Sequence, residues 1–256
     1  MAKPKNWITK YVQSFFQVYL AEERRLSEHT VKSYRDTLKL FLSHLAEKNR
    51  GRIASVTLDH LTAENVLKFL SAIEKNRGNS IRTRNQRLAV LKTFFSYLLT
   101  QDLSRANQYE KISHITMKRV PYRPVEYLTE EELQAILDSI DQTTKQGVRD
   151  YAILLTLYNT GARVQELCDL RMKDLRLEAP LMATLTGKGK KIRHVPLWES
   201  TVKAVQAYLK TTEPKGDEEQ IFVGKREEAL SRFGIRYLVC AQAKRAEKKC
   251  SSLKTK

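Results

Sequence analysis

The sequence predicts a mainly α protein in two parts: a four-helix bundle, then a mixed α/β domain that is mostly helical with one small β-hairpin. Three observations carry that prediction. Apolar side chains recur at helical spacing through the first 105 residues. A stretch rich in proline and cations then breaks the pattern, and the remainder sets two short strand-like runs around a glycine-rich turn among further helical segments. A length of 256 residues suits two domains, each long enough to bury its own core.

In the first part, residues 8–20 align Val12, Phe15, Phe16 and Tyr19 as one stripe. Ser27 is a cap for a second helix carrying Val31, Tyr34, Leu38, Phe41 and Leu45, and Thr62 caps a third with Val66, Phe69, Leu70 and Ile73. Asn79 or Ser80 opens a fourth, with Leu88, Leu91, Phe95 and Leu98 inward. Four such stripes bury against one another as a bundle.

Lys118-Arg119-Val120-Pro121-Tyr122-Arg123-Pro124 tolerates neither a continuous helix nor a central strand and reads as a linker. The expected boundaries are 1–110 for the helical domain, 111–127 for the basic linker and 128–256 for the second domain. Thr129 and the acidic turn after it open that domain, followed by Leu133, Ile136 and Leu137 at helical spacing. Further helices are predicted over 148–158, after Gly161 through Glu166 to about 170, over 202–209 and over 235–246. Strands over 181–185 and 192–195 form the hairpin.

Hydrophobic residues make up 41% of the chain, which excludes general disorder, and no apolar run approaches membrane-spanning length. The basic start is not followed by an apolar signal core. Cys168, Cys240 and Cys250 are odd in number and lack metal-ligand spacing, so they read as reduced thiols in a cytoplasmic protein, with no metal site expected. The net charge is +17, with a surplus of nine cations in residues 1–110 and eight in 111–256. Two basic bodies point to a shared polyanion held as in a clamp. A surplus of solubilising lysine is the plainer alternative.

The fourth helix crowds Arg82, Arg84 and Arg87 around Asn85 and Gln86. At 100° per residue Arg82 and Gln86 lie opposite the apolar stripe with Asn85 near them, while Arg84 and Arg87 fall at its edges with their heads expected to emerge. Such a face suits a major groove, the amides reading base edges and the arginines holding phosphates. An ordinary solvated helix face has the same composition. Lys118 and Arg119 of the linker are expected to follow a phosphate backbone.

Arg163 follows Asn159-Thr160-Gly161-Ala162, which places it on the first turn of a helix after a sharp bend. A guanidinium there can hold two phosphate oxygens at once. Glu166, three residues on, can share that face and fix a basic partner or the local backbone. Lys188 lies between Gly187 and Gly189 at the hairpin tip, where its ammonium can protonate a leaving oxygen and meet developing negative charge. Lys190, Lys191, Arg193 and His194 extend the basic hairpin. The turn lacks the frame of a nucleotide-binding P-loop.

Taken together these segments resemble the tyrosine recombinase (phage integrase) family, including its Xer-like members. Thr160-Gly161-Ala162-Arg163-Val164-Gln165-Glu166-Leu167 is similar to the family's first catalytic-arginine box. Thr186-Gly187-Lys188-Gly189-Lys190-Lys191-Ile192-Arg193-His194-Val195-Pro196-Leu197 is similar to its catalytic-lysine hairpin. The resemblance covers nearly the whole chain. It implies a SAM-like core-binding domain followed by a recombinase catalytic domain acting on double-stranded DNA. Cleavage in the family uses no metal or cofactor and proceeds through a 3′-phosphotyrosyl bond. Arg163 is then the residue that stabilises the transition state and Lys188 the proton donor, with tetramers forming on paired sites in the full-length protein.

The family continues with a His-x-x-Arg box and a tyrosine nucleophile. Neither Tyr208, within an amphipathic segment, nor Tyr237, expected to be packed, follows such a box. The chain is therefore expected to bind DNA without cleaving it, as a truncated recombinase. A catalytically inert, recombinase-derived regulator or accessory protein is the alternative. A basic protein for RNA or anionic lipid is a third reading, disfavoured because the aromatic residues sit at core spacing.

Overall fold

The structure is a computed structural model that describes residues 7–48, 51–122, 124–213 and 216–255. The basic start in residues 1–6, Arg123 of the expected linker and Lys256 lie outside the described residues. The chain divides into two compact units, Met1–Arg123 and Pro124–Lys256.

The first unit comprises α1 (Trp7–Ser14), which runs into a π-helical stretch Phe15–Glu23, then α2 (Glu28–Lys48), α3 (Ala63–Lys75), α4 (Ile81–Gln101) and α5 (Ala106–Ser113). The predicted caps are in place: Ser27 Oγ accepts from Thr30 N, Thr62 from Asn65 N, and Ser80, not Asn79, from Thr83 N. The inward residues of α3 and α4 are buried as their spacing requires. Phe15 is fully buried among Tyr19, Phe94 and Tyr97, with ring centroids 5.6, 5.0 and 5.2 Å away.

α5 is absent from the sequence expectation, yet Tyr109 and Ile112 bury in the same core. The helical body therefore extends past residue 110. Tyr109 hydroxyl donates to Asp102 at 3.3 Å, and burial followed by the Asp102 charge pushes its phenol well above the ordinary range.

The second unit contains α6 (Glu130–Asp138), α7 (Lys145–Thr160), α8 (Val164–Cys168), α9 (Glu199–Leu209) and α10 (Arg232–Ala246). Thr129 and Glu132 form a reciprocal capping box at the start of α6. Its sheet has three antiparallel strands in the order β1 (Leu175–Arg176), β2 (Met182–Thr186), β3 (Ile192–Pro196). The hairpin β2–β3 pairs Thr186 with Ile192 and Met182 with Pro196. β1 has only two residues, too short for period-two alternation to reveal. The core is formed by α7, α8 and α10 with Ile221, Phe222 and the buried face of α9. Among the described residues no helix is long and apolar enough to cross a membrane.

Of the two tyrosines weighed in the sequence, Tyr208 lies within a helix as expected and Tyr237 departs from expectation. Tyr208 is buried, stacked on Phe222 at 5.6 Å, and its hydroxyl accepts from Val223 N at 3.4 Å. Tyr237, expected to pack, is 77% exposed. The buried stripe of α10 runs through Ile235, Leu238, Gln242 and Ala246, so Tyr237 shares the outward face with Phe233, four residues before it.

Candidate functional site

The bend after α7 is built by its own side chains. Gly161 closes the helix with φ 57°, a left-handed conformation that favours glycine, and its N–H bonds Leu157 O. Thr160 Oγ1 donates to Thr156 O at 2.6 Å and accepts from Ala162 N at 3.2 Å, fixing the chain's exit. Arg163 then sits at the N-cap of α8 in an extended conformation, not on the first helical turn as the sequence suggested.

Glu166 explains that placement. Its Oε2 accepts the Arg163 backbone N–H at 2.8 Å and its Oε1 accepts from Arg163 Nη1 at 2.8 Å. The same carboxylate receives Arg193 from β3: Nη2 donates to Oε2 at 2.6 Å and Nη1 to Oε1 at 3.1 Å. Glu166 is 4% exposed while Arg163 is 70% exposed, so the acid is enclosed and the first arginine reaches outward. Hydrogen bonds from Arg193, then the Arg163 backbone and side chain, outweigh the burial penalty and hold the Glu166 carboxyl down at about 2.

The hairpin turn lies directly on this cluster. Gly187 N–H bonds Lys191 O at 2.7 Å, and a short 3-10 turn over Lys188–Lys190 carries the chain round, with Gly189 at φ 75° and Lys190 at φ 58°. A Cβ at Gly187 would stand 2.9 Å from Glu166 Oε1 and 3.5 Å from Arg163 Nη1. Lys188, Lys190 and Lys191 are exposed. Arg163 and Lys188 line one open cavity of ≈ 570 Å³ together with Gly161, Gly187, Lys191, Ile192 and Arg193. Such a basin, rimmed by an unshared guanidinium edge and an ammonium, accommodates a tetrahedral oxyanion.

The phage integrase family's catalytic model matches residues 126–254, and its N-terminal SAM-like domain matches residues 12–102. The chain belongs to the phage integrase family. Within it, this Xer-like tyrosine recombinase is 33% identical to y4rD of Sinorhizobium fredii, which bears an integrase/recombinase name, over 89% of this chain and 82% of that one. It is 31% identical to the tyrosine recombinase XerC of Staphylococcus epidermidis, over 91% of this chain and 76% of the relative. Among solved structures, the XerH site-specific recombinase bound to its difH substrate in a pre-cleavage complex is 25% identical with a TM-score of 0.60. That match covers 88% of this chain and 63% of the XerH chain.

The recombinase's other expected DNA-contacting residues divide in two. Arg82 and Gln86 on α4 and Arg119 after α5 are exposed, and among the described residues Arg82 and Arg119 have no side-chain partner. Gln86 Nε2 donates to Ser33 Oγ at 3.3 Å. Arg84 corrects the expectation: it is 5% exposed, donates from Nη1 to Thr116 O at 3.3 Å and Asn85 Oδ1 at 3.1 Å, and pairs with Glu74 at 3.9 Å. Its head turns inward because Glu74 and the chain after α5 cover that edge of the stripe. Asn85 is likewise occupied, giving its amide to Lys118 O at 2.7 Å and accepting Lys118 N at 3.1 Å. Lys118 Nζ contacts both Glu74 oxygens at 2.9 Å. These three residues stitch the segment after α5 to the bundle.

Arg87 is half-buried, and burial and then the Arg77 charge lower its pKa. Arg193, expected to grip phosphate, is committed to Glu166. Glu74 went unnoticed in the sequence. The one available signal was its position near the end of α3, a few residues before the cation-rich start of α4, which is too common to single out.

Proposed function

We propose that this protein is a site-specific DNA recombinase or integrase whose second unit holds one backbone phosphate of duplex DNA between Arg163 and Lys188. The carrying observation is that both side chains line one open basin while the neighbouring carboxylate is already satisfied. Arg163 presents its free edge to two non-bridging oxygens and stabilises the charge that builds up during phosphoryl transfer. Lys188, exposed at the hairpin turn, supplies a proton to the departing 5′ oxygen. Exposed Arg82, Gln86, Arg119, Lys190 and Lys191 contribute further duplex contacts, mostly to phosphates.

The XerH structure was determined on difH substrate, and duplex DNA is proposed here as the partner by that likeness and by the +17 charge. Assembly into tetramers on paired sites belongs to the same proposal, for a protein carrying the family's whole catalytic domain. Residues 1–256 are proposed to bind without forming a covalent bond. Tyr208 is enclosed with its hydroxyl engaged, and neither it nor Tyr237 follows a His-x-x-Arg segment.

Fluorescence anisotropy with labelled oligonucleotides tests binding: a duplex is held more tightly than either of its single strands, with affinity falling steeply as salt rises. Equal affinity for single strands sinks the proposal. A nicked suicide duplex separates strand transfer from inert binding, because a denaturation-resistant protein–DNA adduct shows a nucleophile within these residues.

A further inference from the structure

Glu166 decides how much positive charge the basin receives. A carboxylate beside one arginine forms a neutral, bidentate pair that consumes the fork a phosphate needs. In this site the carboxylate has four donors, two from Arg193 and two from Arg163, which fill its acceptor positions. Only one of the Arg163 contacts uses the guanidinium, through Nη1. Its Nε and Nη2 have no partner among the described residues, and the side chain is 70% exposed. Arg193 also donates to Gly161 O at 3.5 Å, so one β3 residue touches both the α7–α8 bend and the acid of α8.

We propose that Arg193 is a positioning residue: by occupying Glu166 it keeps the Arg163 guanidinium turned to the basin and fixes the hairpin bearing Lys188 against α8. This rests on the reading of Arg163 and Lys188 as the phosphate site. Two arginines and one carboxylate leave a net single positive charge, carried by the arginine that reaches outward. Without Arg193, the enclosed carboxylate draws Arg163 into a two-pronged pair, and the basin keeps its lysines but loses the Arg163 charge although Arg163 is still present.

Duplex binding by single and double variants tests the idea. Arg193→Gln weakens binding by about tenfold, the size expected for one charge-assisted contact. Arg163→Gln costs the same, and the double variant is no weaker than Arg163→Gln alone, because both changes remove one contact. Glu166→Gln combined with Arg193→Gln restores binding to within about threefold of the parent, since no carboxylate remains to capture Arg163. Arg193→Lys, which keeps charge but not the fork, falls between. Additive losses for the two arginines, or no recovery in the charge-balanced pair, overturn the proposal.

A second readout needs no DNA. The Glu166 carboxyl carbon, followed by NMR, titrates near 2 in the parent and at a clearly higher pH in Arg193→Gln. An unchanged midpoint overturns the pairing itself. A raised midpoint in a protein that fails to bind duplex at all removes the phosphate reading and leaves the clamp on Glu166 standing.

Discussion

Gly187 approaches Glu166 more closely than any residue with a side chain could: a Cβ there would lie 2.9 Å from the carboxylate oxygen that also receives Arg163 and Arg193. The backbone at Gly187 is ordinary, with φ −96°, so the requirement is one of space and not of conformational freedom. Gly187→Ala must push back a carboxylate held by four donors. The expected cost is about 1–3 kcal/mol of stability, read by urea denaturation, with weaker duplex binding as the cluster shifts. A variant matching the parent in both measurements contradicts this packing.

The depressed Glu166 carboxyl makes stability depend on pH in a defined window. Its folded value of about 2 lies below the ordinary 4.5, so its contribution is fully present above the ordinary value and disappears as pH falls toward 2. The linked contribution is on the order of 3 kcal/mol. Denaturant midpoints measured between neutral pH and pH 3 should fall, and Glu166→Gln should flatten the part of the slope that this residue supplies. An identical pH profile in the variant would show that Glu166 does not titrate as described.

Arg82 and Arg84 are near neighbours on α4 with opposite expected behaviour. Arg84→Ala removes a buried guanidinium from Glu74 and from the Thr116 carbonyl, destabilising the protein by about 3 kcal/mol. Arg82→Ala leaves thermal stability alone and reduces the slope of log K against log salt by about 0.9 if Arg82 meets one phosphate. Calorimetry and salt titration on the two variants check this, and a stability loss confined to Arg82→Ala contradicts it.

Ile112 is fully buried in the first unit although it lies beyond the helical boundary at residue 110 expected from sequence. Ile112→Ala should lower stability by about 2–4 kcal/mol, measured by denaturant unfolding. A loss below about 0.5 kcal/mol, typical of surface substitutions, would return α5 to the linker.

Much of this architecture was legible because it obeys one-dimensional rules. Stripes such as Val66, Phe69, Leu70 and Ile73, and caps such as Thr62 and Thr129, depend on residues within a few positions of one another. α5 escaped notice because its burial rests on two residues, Tyr109 and Ile112, in a short polar helix. The site was legible as two motifs, since Gly161 and the Gly187-Lys188-Gly189 turn announce local geometry. What sequence could not reveal was which cations are already spent. Arg84 pairs with Glu74, Lys118 with the same acid, and Arg193 with Glu166, across separations of 10, 44 and 27 residues. Helical angle placed Arg84 at the stripe's edge, but whether that edge faces water depends on a segment that returns to cover it.

The central claim is that Arg163 and Lys188 serve one phosphate, and the salt dependence of duplex affinity tests it most directly. For Arg163→Ala, Lys188→Ala and the double variant, log K is measured against log salt on one duplex. If a single phosphate is shared, either single change leaves the slope nearly intact because the other cation still neutralises it, and the double change reduces it by about 0.9. A reduction of about 0.9 for each single variant and about 1.8 for the pair would mean two separate phosphates, contradicting the shared site.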